Sequence, residues 1–201
     1  MGVSNEMFPT ETDQSATSCL LNPVPEDATN YQFWNTGNTP WNFDTDAGRD
    51  AIFVRFLAAP TPALQNPSDK NGQVQFDNIG CNLCHTTSFM TPAASIPQMG
   101  HVTISLYSDL LVHHMGPCLA DNIVQGSAQG DMFRTPPLWN VGQRLWFMHD
   151  ARTSDIVQAI QDHYCVGNSQ YPASEANGVV NAFNALSQGN QQDLVNFLRS
   201  L

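Results

Sequence analysis

The most restrictive feature of the chain is the pentapeptide Cys81-Asn82-Leu83-Cys84-His85. C-x-x-C-H is the attachment pattern of c-type haem. Two thiols at this spacing reach the two vinyl groups of one porphyrin. The histidine that follows falls beneath the iron as its proximal ligand. A bare C-x-x-C would equally suit a redox dithiol or half of a zinc site. The adjacent histidine argues against both, and no second C-x-x-C completes a zinc site. The motif therefore predicts a fold built round a prosthetic group, one covalent haem c.

Charge limits the partners. The chain has 7 Lys+Arg against 18 Asp+Glu, a formal net charge of -11, and two haem propionates would add to the excess. Nucleic acid is excluded, because phosphate binding needs concentrated positive charge. A redox partner protein with a basic surface is the natural docking partner. No stretch approaches the roughly 20 apolar residues of a membrane span. Covalent haem attachment implies export, so a periplasmic or extracellular location is expected, where disulfides persist. Residues 1–8 have neither the basic start nor the apolar stretch of a leader. Either a leader has been removed or the chain is a piece of something longer.

Residues 1–43 are irregular in pattern but carry Phe8, Tyr31, Phe33, Trp34, Trp41 and Phe43. Disordered segments are aromatic-poor, so an ordered strap packed on a neighbour is expected. Asp44 or Thr45 caps a helix through about Ala58, with Ile52, Phe53, Phe56 and Leu57 as its apolar stripe. Asn66-Pro67-Ser68 opens the next helix, with Ser68 as cap and Gly72 and Phe76 along it. Val102, Ile104 and Leu106 alternate like a short strand, and 113–140 reads as loop. A helix over 152–163 is capped by Thr153 or Ser154, with Ile156, Val157 and Ile160 on its apolar face. Two more follow, over 174–186 and about 190–201, the last with Leu194, Val195, Phe197, Leu198 and Leu201 inward.

Several stretches resemble one family: Gly2-Val3-Ser4-Asn5-Glu6-Met7-Phe8-Pro9, Phe133-Arg134-Thr135-Pro136-Pro137-Leu138-Trp139, Phe147-Met148-His149-Asp150-Ala151-Arg152-Thr153 and the closing residues 194–201. With the haem motif they resemble the C-terminal part of the di-haem oxidoreductases. That family is also called thiol oxidoreductase-like and is related to MauG and the bacterial di-haem cytochrome c peroxidases. The resemblance covers nearly the whole chain. Ala151 stands where the family usually has glycine, so a different turn is expected there. Members normally carry another haem domain upstream, so the chain is either a mono-haem relative or a piece of a di-haem protein. The implied fold class is mainly α. A cytochrome c-like haem domain over 67–201 follows a strap and one helix over 1–66, an extended, mostly irregular N-terminal segment.

The second axial ligand has many candidates: His101, His113, His114, Met115, His149 and His163, then Met90, Met99, Met132 and Met148. His163 leads, because the resembling families place their distal ligand before the C-terminal helix. Met115, before Gly116-Pro117, is second. His149, His113 and an open site remain. Two imidazoles stabilise ferric iron more than His/Met does, and an iron with two protein ligands binds peroxide only by losing one. Arg134 and Arg152, two of the few basic side chains, are candidate partners for the propionates. Trp139 and Trp146 are expected against the porphyrin edge, and Asp109 and Asp121 as supporting groups or caps. Cys19, Cys118 and Cys165 allow one disulfide. Cys118–Cys165 follows if the Met115 and His163 loops meet, with pairings through Cys19 as competitors.

The reading is a c-type cytochrome domain for single-electron transfer. The first rival is a peroxidase-like or MauG-like oxidoreductase, with His149 or His113/His114 as acid and base. The second is a subunit of a larger electron-conducting assembly, gripped to a neighbouring cytochrome subunit by residues 1–43.

Overall fold

A computed structural model describes residues 46–63 and 66–201. Cys19 and the aromatic residues of the expected strap lie outside the described residues. The described chain forms two units, 46–58 with 122–130, and 59–121 with 131–201. Residues 59–63 and 66 fall in the second unit. The backbone N–H of Ala63 donates to the carbonyl of Ser200 at 2.8 Å, which ties this stretch to the C-terminal helix.

The first unit contains helix α1, Asp46–Arg55, and a loop closed by the bridge between Gln125 and Ala128. The expected apolar stripe of α1 is not a buried one. Phe53, Phe56 and Leu57 are 65%, 56% and 55% exposed. Helical spacing alone puts apolar residues on one face; it does not supply a surface to cover them.

The second unit is built on α2, Pro67–Asn78, and α5, Gln188–Ser200. Asn66, not Ser68, caps α2. Its side chain accepts from the N–H of Asp69, and the Asp69 carboxylate accepts from the N–H of Asn66, both at 3.0 Å. This reciprocal pair satisfies two N–H groups that the first turn leaves unpaired, and Pro67 needs none. Ser68 is thereby free to donate to Asp193 on α5. Asn71 donates to the same carboxylate at 2.6 Å. At the centre of the crossing the backbones nearly touch. A Cβ on Gly72 would lie 2.0 Å from the carbonyl oxygen of Asp193 and 2.6 Å from Cβ of Phe197. Glycine is required there by close approach, not by its φ.

Beneath this crossing lies the core. Phe76, Tyr107, Val141, Ile156, Phe183, Leu194, Val195, Phe197, Leu198 and Leu201 are all buried in one cluster. The inward set expected on the last helix is therefore the buried set. Phe76 meets Phe197 at 5.5 Å and Tyr107 at 6.0 Å between ring centroids, both near edge-to-face, the arrangement aromatic quadrupoles favour. The end of α5 is well used: Asn140 donates to the carbonyl of Leu201 at 3.1 Å.

Two short helices complete the core. Helix α3, Ile156–Gln161, is shorter than the expected 152–163. Its cap is Asp155, whose carboxylate accepts from Val157 and Gln158 at 2.7 and 3.4 Å. Thr153 instead accepts from the N–H of Asp155 at 3.0 Å. Ile156 is buried, but Val157 is 39% exposed, so the expected apolar face is narrower. Helix α4 is Asn177–Ala185.

Strands are few. β1, Phe89–Met90, pairs antiparallel with β2, Thr103–Ile104, and β3, Val112–His114, with β4, Met132–Arg134. The expected strand shrinks to two residues, and the expected loop of 113–140 contains a second ladder. Helices with few strands and long irregular connections make up the described chain. Among the described residues no helix is long and apolar enough to cross a membrane.

Cys118 and Cys165 form a disulfide across 47 residues. The bond joins the loop after Met115 to the segment after His163. In the chain-entropy model a loop of this length is worth about 4 kcal/mol. Cys118→Ser with Cys165→Ser should cost on that order, read as a lower midpoint in guanidinium. Gly72→Ala should cost about 3 kcal/mol, because helix backbone cannot yield as a side chain does. A Gly72→Ala protein as stable as the original would mean that α2 and α5 separate freely.

Candidate cofactor site

An open cavity of about 460 Å³ lies between the helices of the second unit. The haem motif forms part of its wall. After α2 the chain turns at Gly80, whose φ is +94°, and enters a 3-10 turn over Cys81–Leu83. That turn brings Cys81, Cys84 and His85 to one cavity. Among the described residues these two cysteines are the free thiols. Burial pushes Cys81 up to about 12, and burial with the charges of Asp109 and Glu175 raises Cys84. A raised pKa lowers the thiolate fraction on which a redox dithiol depends.

His85 is fixed by one hydrogen bond. Its Nδ1–H donates to the carbonyl of Tyr107 at 2.9 Å, and its ring lies 6.4 Å from that of Phe76. A carbonyl only accepts, so Nδ1 carries the proton and Nε2 the lone pair. Burial pushes its pKa down to about 4, so the ring is neutral at pH 7. His163 has the same arrangement. Its Nδ1–H donates to the carbonyl of Ala159 at 2.7 Å, and burial lowers its pKa. It also lines the cavity. Its backbone is braced by Ser174, whose hydroxyl donates to the His163 carbonyl at 2.6 Å, and by the disulfide two residues on. Two neutral imidazoles, each with a lone pair on Nε2, are the donor set that iron in a porphyrin takes axially. With two thiols and a largely apolar lining, the residues fit a haem.

The other candidates divide. His113, Met115, Met148 and His149 line the cavity; His101, His114, Met90, Met99 and Met132 do not. His113 has both nitrogens engaged, Nδ1 with Glu175 at 2.7 Å and Nε2 with Asp109 at 2.8 Å, so it has no lone pair to give. His114 donates to the buried Asp131 at 2.9 Å. His149 stacks on Phe133, ring centroids 4.3 Å apart. Its turn keeps the conformation a glycine would favour, for Ala151 sits at φ +57°. The turn expected to differ at Ala151 is thus left-handed without glycine, at a steric cost.

Arg134 lines the cavity, whereas Arg152 and Trp139 do not. Arg152 forks onto Asp150 at 2.6–3.0 Å, and the Trp139 indole donates to the carbonyl of Ser105 at 2.7 Å. Arg144 and Trp146 are in the lining. Arg144 was missed because no local pattern marks it; only the turn over Val141–Gln143 carries it to the cavity.

Asp109, His113 and Glu175 form a charged triad beside Cys84, with side chains 10%, 17% and 47% exposed. Burial opposes the charge on His113, but hydrogen bonds to Glu175 and Asp109 raise its pKa above 6.5. Burial likewise opposes charge on the acids, yet their hydrogen bonds lower Asp109 below 3.8 and Glu175 below 4.5. The histidine's contribution is full below 6.5 and is lost as pH rises through its raised value. The acids' contributions are full above 4.5 and are lost as pH falls. The triad therefore stabilises most between about pH 4.5 and 6.5. His113→Gln should flatten the alkaline side of the melting-temperature profile, and an unchanged profile would remove the triad from the stability balance.

Comparison with known proteins gives the context. Residues 1–201 match the family model described as "Di-haem oxidoreductase, putative peroxidase". No curated protein matches the chain. Among solved structures, it is similar to hydrazine synthase of Kuenenia stuttgartiensis, at 18% identity and TM-score 0.48 over 80% of this chain and 56% of that one. It is also similar to a MauG-like protein associated with microbial copper homeostasis, at 17% identity and TM-score 0.41 over 69% and 47%. The chain spans about half the length of each of these structures. By the match over its whole length, this chain belongs to the di-haem oxidoreductase family.

Proposed function

We propose that this chain carries one covalent haem c and passes single electrons through it. Family membership makes the role a haem-based redox one. Cys81 and Cys84 would form the thioethers, and His85 and His163 would be the axial ligands. The observation that carries this reading is the pair of backbone bonds, His85 to Tyr107 and His163 to Ala159, in the wall of one cavity. Each bond holds a ring in the tautomer that ligates iron. A haem in such a site supplies a one-electron couple whose potential is set by its ligands and burial. The protein's part is to fix the ligands, exclude water from the iron and present an edge to a partner.

Other elements support the reading. The formal net charge of -11 suits a basic redox partner protein or a neighbouring cytochrome subunit. The disulfide suits a periplasmic or extracellular place. One observation favours a second reading, a peroxidase-like oxidoreductase. His149 shares the cavity, and its ring has no hydrogen bond among the described residues beyond its stack on Phe133. Such a ring could move a proton if His163 left the iron.

Intact mass after acid extraction should show one added haem. The protein should be low-spin in both redox states. His163→Ala should become high-spin and bind carbon monoxide, His163→Met should raise the reduction potential, and Met115→Ala should change neither. A His163→Ala protein that stays low-spin, with Met115→Ala opening the iron, would move the ligand to Met115. A high-spin native protein would favour the enzyme.

A further inference from the structure

A bound haem would bring two carboxylates into a largely apolar cavity. An unpaired carboxylate is strongly disfavoured in such surroundings, so cations at the cavity wall would stabilise the propionates. Arg152, with Arg134 one of the two arginines that the sequence suggests, is already filled. Its Nε and Nη2 donate to Asp150, and its Nη1 donates to the carbonyl of Cys118 at 3.0 Å.

Arg144 is different. It lines the cavity, and its Nη2 donates to the carbonyls of Pro137 at 3.0 Å and Trp139 at 3.5 Å. Its Nε and Nη1 have no acceptor among the described residues. The carbonyls therefore hold the guanidinium in place while leaving two donors free. The chain has 18 acidic side chains against 7 basic ones, yet no carboxylate among the described residues pairs with Arg144. Arg144 also stands in the wall of a second cavity of about 360 Å³, whose lining includes Ser154, Asp155 and Arg199. The two cavities share Val141, Phe147 and Ile156 beside it. Arg144 thus stands where the larger, mostly apolar cavity adjoins a polar one, and charged groups leave an apolar cavity where it is polar.

We propose that Arg144 binds a haem propionate through the guanidinium nitrogens that Pro137 and Trp139 leave free, with Arg134 as the second cation of the site. This rests on the haem reading above. An arginine fork matches a carboxylate, and a lysine does not. The positive charge disfavours the ferric state and so raises the potential. It also keeps the propionate ionised to lower pH.

The test uses the holoprotein as produced, with Arg144→Gln, Arg144→Lys, Arg134→Gln and, as a surface control, Lys70→Gln. Arg144→Gln should lower the reduction potential and move the pH at which the potential bends upward. It should also shift the propionate bending bands in the resonance Raman spectrum. Arg144→Lys should keep the potential near its original value but still shift those bands. Arg134 has no side-chain bond among the described residues, so Arg134→Gln frees no protein acceptor and should lower the potential without loss of fold. If Arg144→Gln does not fold, Arg144→Lys and Arg134→Gln decide. A native protein without haem overturns the haem reading, and this proposal with it. A haem-loaded protein whose arginine variants behave like Lys70→Gln overturns this proposal alone.

Discussion

The approach of α2 to α5 at Gly72 is the contact on which the cavity depends. Because no side chain separates the helices there, Phe197 reaches the face of Phe76, and Tyr107 closes the group. Tyr107 then offers its carbonyl to His85. The line from a missing Cβ to the tautomer of an imidazole is therefore short and continuous. Close-packed interiors transmit small displacements, so widening this crossing would move the His85 ring as well as weaken the core.

The wall segment that carries His163 is held by other means. His163 lies just beyond a helix of six residues, too short to stand by its own propensity. Asp155 caps that helix, Ser174 holds the His163 carbonyl, Asn177 bonds both backbone groups of Cys165, and Cys165 is bound to Cys118. One wall thus rests on aromatic packing and the other on hydrogen bonds and a covalent link. Each gives an imidazole whose second nitrogen is fixed by backbone. Outer partners of that kind orient a ligand and set its basicity.

Charge is distributed as unevenly as packing. The acids Asp109 and Glu175 gather beside Cys84 around His113, while Arg134 and Arg144 stand in the cavity wall without carboxylate partners among the described residues. A porphyrin is itself polarised, with apolar vinyl groups on one side and carboxylates on another. A lining that holds both thiols and guanidinium donors would suit such a molecule.

Local chemistry is legible in the sequence. C-x-x-C-H is a constraint between neighbours, so the pattern carries its own meaning. The inward face of α5 follows from the 3.6-residue period, and Gly72 and Phe76 mark their helix within about one turn of each other. Local pattern does not decide where a residue has two possible partners. Ser68 looks like a cap, but Asn66 makes the reciprocal bond with Asp69 and leaves Ser68 to α5. Phe53, Phe56 and Leu57 share a face that nothing in the sequence requires to be covered. Arg152 sits in a suggestive block, yet its neighbour Asp150 is the nearer carboxylate. The sequence by itself determined the haem motif and the helices that carry the core, because these depend on residues a few positions apart. Only the tertiary structure decided that His163 shares a cavity with His85, that Cys118 meets Cys165, and that Arg144 rather than Arg152 reaches the cavity. Those are pairings across tens of residues, and they exist only once the backbone has closed on itself.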